Sequence, residues 1–61
     1  MSNKRILIVD DEESVLTVLR NSLKKVGPDY QITTVTNGFA ALNALLKQEF
    51  NLVVTDFNME A

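Results

Sequence analysis

RILIVDDEE, residues 5–13, carries four apolar side chains, Ile6 to Val9, straight into four consecutive carboxylates, Asp10 to Glu13. The next basic residue is Arg20, so no neighbouring cation offsets the repulsion among the acids. Ile6-Leu7-Ile8-Val9 is apolar at both sets of alternating positions. That is the pattern of a strand buried on both faces, as in a parallel sheet. The acids therefore stand at the carboxyl end of what reads as the most buried strand in the chain.

Beyond Glu13 the period changes. Val15, Leu16, Val18, Leu19, Leu23 and Val26 recur at helical spacing and predict a helix of about four turns with an apolar stripe toward the core. Acids at its start and Lys24-Lys25 in its last turn complement the helix dipole, and Gly27-Pro28 stops it. Tyr30–Val35 (YQITTV), rich in β-branched residues, predicts a second strand. Thr36-Asn37-Gly38 could turn a hairpin. The residues that follow, FAALNALLKQ, instead form a second helix with Thr36 or Asn37 near its cap and a stripe at Ala41, Leu42 and Leu45. NLVVTD then gives a third strand, Leu52 to Val54, again ending in an acid, Asp56.

The order β-α-β-α-β predicts an α/β fold with parallel strands joined by right-handed crossovers. With the first and third strands adjacent, as in doubly wound sheets, the strand order is 2-1-3. Sixty-one residues allow one domain over 1–61 and a thin core, since chains this short bury only about 60% of their unfolded surface. The sequence has no cysteine and no histidine, which excludes disulfides, thiolate metal sites and histidine-based proton transfer. Eight acidic against six basic residues, a net charge of −2, argue against direct nucleic-acid binding. No apolar run exceeds four residues, too short for a membrane span or a signal peptide. The chain reads as soluble and cytoplasmic.

Neighbouring parallel strands lie about 4.8 Å apart, so acids ending the first and third strands converge although Asp11 and Asp56 are 45 positions apart. Ligands of open α/β sheets bind at this edge, beside the switch point. Clustered carboxylates either raise a pKa or capture a cation. An all-oxygen donor set selects a hard divalent ion, Mg²⁺ first, and such an ion commonly meets phosphate. Taken singly, the acids have plainer explanations: Asp10 and Asp11 as caps of the first helix, Asp56 as a turn residue. Glu12 and Glu13 read as solvated residues of the first helical turn. The conjunction at one sheet edge favours the cation.

ILIVDDEESVLTVLRNSL, TNGFAALNALL and LVVTDFNM together resemble the first half of the receiver domain of two-component response regulators, over essentially the whole chain. The resemblance implies a half of the doubly wound, flavodoxin-like receiver fold. It implies that Asp56 is the phosphoacceptor, served by a histidine kinase or a phosphotransfer protein. It also implies that Mg²⁺ is held by Asp10, Asp11, Asp56 and the backbone carbonyl of Asn58. Such a chain is a phosphoryl acceptor, not an enzyme. A haloacid dehalogenase-type phosphatase would want a second Asp where Asn58 stands. Dinucleotide binding would need more than two isolated glycines.

The chain departs from the family at Glu60, where proline is usual, and in length. Receivers have about twice as many residues, and the remainder supplies a Ser or Thr and a Lys to the phosphoryl site. A truncated receiver is expected to be impaired in phosphorylation and to cover its exposed third strand as a homodimer, by edge pairing or by segment exchange. The alternative is a self-associating half-domain without signalling activity.

Overall fold

The β-branched run at the start of the chain forms a strand at the centre of a sheet. A computed structural model of the chain describes residues 4–55. The elements are β1 (Arg5–Val9), α1 (Glu13–Val26), β2 (Gln31–Val35), α2 (Gly38–Lys47) and β3 (Leu52–Thr55). The three strands form one parallel sheet in the order β2-β1-β3, as the alternation of strand and helix predicts. Flanked on both sides, β1 holds the core: Leu7 and Ile8 are 0% exposed, and Ile6 and Val9 are buried with them.

Ile6 and Ile8 pack with Leu16 of α1, joined by Leu19, Leu23, Tyr30, Ile32 and Val54. Side chains alternate across a strand, so Leu7 and Val9 point to the opposite face, the one crossed by α2. Among the described residues, no helix is long and apolar enough to cross a membrane.

Three details differ from the expectation. The second strand begins at Gln31, not Tyr30. Tyr30 instead lays its ring over Gly27, where a Cβ would overlap it. Only part of the α1 stripe is core: Val18 is 63% exposed and Val26 73%. At 3.6 residues per turn Val18 lies about 160° around the helix from Leu16. Val26, the last helical residue, borders an open groove beside Lys4 and Leu52. In α2 the sheet-facing positions are Ala40, Ala41 and Ala44, all partly buried, whereas Leu42 and Leu45 are about half exposed. Small residues thus face the sheet, Leu45 lies at the margin of that face, and Leu46 is exposed.

The entry to α2 follows the sequence. Asn37 is the N-cap, its Oδ1 accepting from the Ala40 N–H at 2.8 Å, which satisfies one of the unpaired amides of the first turn.

Candidate functional site

The ends of the strands define the site. Val9 is paired with Val35 on one side and with Thr55 on the other, so all three strands finish level. The loop that leaves β1 carries Asp10 and Asp11. The Asp10 N–H donates to the Val35 carbonyl at 3.1 Å, which extends the β1–β2 ladder by one bond and fixes the Asp10 backbone. Its carboxylate is buried, with the residue 7% exposed, and Oδ1 accepts from the Glu12 N–H at 2.9 Å. This Asx turn bends the chain from strand to helix.

The turn bears on the capping alternative. The N-cap of α1 is Glu12, which has no side-chain cap bond. Asp10 binds the amide of that residue rather than those of the first helical turn. It shapes the loop and does not cap the helix. Asp11, beside it, is exposed, as are Glu12 and Glu13. A carboxylate buried at a sheet edge next to an exposed one is a pair of oxygen donors suited to a hard cation.

Among the described residues, no three acids converge into a metal-binding group. The other two expected ligands, Asp56 and Asn58, lie outside the described residues. Thr55 stands opposite Val9, and the chain passes from it directly to Asp56. Sequence reasoning missed the Val35 carbonyl, because a backbone acceptor leaves no mark on side-chain pattern.

Two shallow grooves, each of about 270 Å³, lie elsewhere. One runs between α1 and the start of β3, over Ile6 and Leu52. The other lies between Thr17 of α1 and Thr34 of β2. Neither is lined by Asp10 or Asp11.

With this geometry established, comparison with known proteins is specific. Residues 6–61 match the family model described as the response regulator receiver domain. The chain is 41% identical over 54 residues to the alkaline phosphatase synthesis transcriptional regulatory protein PhoP of Bacillus subtilis, covering 88% of this chain and 22% of that protein. It is 39% identical over 57 residues to chemotaxis protein CheY-3 of Vibrio cholerae, covering 93% of this chain and 43% of that one. To the sensor histidine kinase GacS of Pseudomonas protegens it is 38% identical over 55 residues, covering 90% of this chain and 6% of the kinase. The chain thus spans less than half the length of each of these relatives. No solved structure matches it.

Proposed function

The chain belongs to the response regulator receiver family, and from that premise we propose that it is the phosphoryl-accepting module of a two-component relay, with Asp56 as acceptor. The observation that carries the reading is the parallel pairing of β1 and β3 in the register Val9↔Thr55. This register brings the strand that precedes Asp56 level with the loop that holds Asp10 and Asp11. Those two carboxylates, with Asp56 and the Asn58 carbonyl, are the proposed holders of Mg²⁺. When bound, the ion neutralises charge on the transferring phosphoryl oxygens. Asp10, its Oδ1 engaged by Glu12, orients the loop, and Asp11 presents a solvent-facing oxygen.

The donor is a phosphohistidine of a kinase or phosphotransfer protein. An Asp56 carboxylate oxygen forms the new P–O bond as the P–N bond breaks, and the bonding pair remains on the imidazole nitrogen. A donor of this kind is consistent with a cytoplasmic module, and the net charge of −2 speaks against direct contact with nucleic acid.

All six basic residues of this chain lie away from the acidic loop. Lys4 and Arg5 are at the start of β1, Lys24 and Lys25 end α1, Lys47 ends α2, and Arg20 is mid-helix. Among the described residues no cation therefore stands at the acidic loop to make a charge-assisted contact to a phosphoryl group there. Incubation of the 61-residue chain with acetyl phosphate is expected to give slow, Mg²⁺-dependent, substoichiometric labelling that Asp56→Asn abolishes, read by intact mass. Labelling that survives that substitution would refute the assignment.

A second reading, self-association, is favoured by β3. Its apolar Leu52 and Val53 are about half exposed at the sheet edge, and an uncovered edge strand is a template for pairing. Two-fold pairing gives the order 2-1-3-3′-1′-2′, and exchange of segments covers the same surface. Sedimentation at micromolar concentration is expected to show a dimer, and Val53→Lys a monomer. A wild-type chain that stays monomeric across that range rules the dimer out.

A further inference from the structure

The apolar pattern of β3 leaves its own register undecided. Leu52, Val53 and Val54 are apolar at consecutive positions. Register is strongly specified where polar and apolar residues alternate, because a one-residue slip then exposes the core set. In β3 a one-residue slip keeps apolar residues at two of these three places, bringing Asn51 to that of Leu52 or Thr55 to that of Val54, so the pattern specifies the register weakly. Among the described residues β1 is the one element against which the β3 backbone lies, and α1 meets the strand through side chains, Val54 joining the cluster around Leu16.

What distinguishes one register from its neighbours is Asn51. Its N–H donates to the Arg5 carbonyl at 2.8 Å, and its side-chain Oδ1 accepts from the Arg5 N–H, also at 2.8 Å. One residue thus satisfies both backbone groups of Arg5. After a slip in either direction Phe50 or Leu52 would occupy that place, and neither has a side-chain acceptor.

We infer that Asn51 is a positioning residue that sets the β1–β3 register, and through it which residue of the third strand's end stands level with Asp10. In the observed register Thr55 faces Val9, and the next residue is Asp56. A slip would bring Thr55 or Phe57 to that level. The inference rests on the reading of Asp10, Asp11 and Asp56 as one site, yet the register is measurable without any metal.

Cross-strand amide contacts measured by NMR in the metal-free chain separate the cases. In Asn51→Leu the native pairing of Ile6 with Leu52 is expected to fall below half occupancy. In Asn51→Asp, which keeps the acceptor oxygen, it is expected to persist. The Mg²⁺-induced shift at Asp11 is expected to require at least about tenfold more ion in Asn51→Leu and to be retained in Asn51→Asp.

Should Asn51→Leu fail to fold, an Ile6→Cys/Leu52→Cys disulfide fixes the register covalently. The oxidised triple variant is then expected to fold and to recover the Mg²⁺ response. A fully native register in Asn51→Leu, or a triple variant that remains unfolded where the oxidised Ile6→Cys/Leu52→Cys chain with Asn51 intact folds, would overturn the inference. An intact register response without any Mg²⁺ shift in the wild-type chain would instead refute the site and leave the role of Asn51 in register standing.

Discussion

Leu7→Ala is expected to leave the chain largely unfolded at 25 °C. A chain of this size has about 3–9 kcal/mol of stability in total. Leu7 is fully buried in the central strand, and truncating such a leucine costs about 2–5 kcal/mol through lost transfer energy and the cavity left behind. The thin core makes that loss hard to absorb, because β1 supplies four of the five buried apolar residues among those described. Urea denaturation followed by circular dichroism, at fixed chain concentration, reads the effect. With a slope near 1 kcal/mol per M, the midpoint falls by about 2 M or more. Leu46→Ala is the matched control: that leucine is exposed on α2, and its loss is expected to change stability by no more than about 0.5 kcal/mol. Equal effects at the two positions would show that the core is not where the structure puts it.

Gly27→Ala is expected to cost about 1–3 kcal/mol, the usual range for overpacking, although its backbone is extended and acceptable to any residue. The reason is space. Gly27 is buried at the end of α1, and an added Cβ would enter the ring of Tyr30. The ring packs against the cluster of Ile6, Ile8 and Leu16, and the backbone that carries it is held. The Tyr30 N–H donates to the Gly27 carbonyl and the Gly27 N–H to the Leu23 carbonyl, both at 2.9 Å. Lys24 Nζ donates to the Tyr30 carbonyl at 2.8 Å. A double-mutant cycle with Tyr30→Ala tests this directly. The ring lost, alanine at position 27 should cost much less, so the combined loss is smaller than the sum of the single losses. Strict additivity would show that the glycine is needed for some other reason.

The sequence made the architecture legible because short apolar or β-branched runs alternate with stripes at helical spacing, and the breaks fall at Gly27-Pro28 and Asn37-Gly38. The β1–β3 adjacency followed from topology. Two kinds of detail were not legible. One is which side of an apolar helix is covered. Leu16, Leu19 and Leu23 of α1 and Ala40, Ala41 and Ala44 of α2 face the sheet, and only the three-dimensional neighbours separate them from Val18, Val26 or Leu42. The other is the work of backbone groups, such as the Val35 carbonyl that receives Asp10. Asp10 itself was legible as an acid of interest, but its Asx turn, which displaces the capping alternative, emerges only from the loop geometry. Asp56 and Asn58 remain sequence assignments, supported by the family and by the register that leads to them.

The central position of β1 has a consequence for how the chain is made. The strand with the greatest need of neighbours is synthesised first, and β3 pairs with it across 46 positions. At about 5–20 residues per second, its second partner arrives roughly 2–9 s later. During that interval its uncharged, largely β-branched part, Ile6 to Val9, which has no proline, is available to any passing strand. The acids that follow it repel other copies of the same segment. The carboxylates proposed to gather a cation in the finished molecule are thus placed where gatekeeper charges flank an apolar strand of the nascent one.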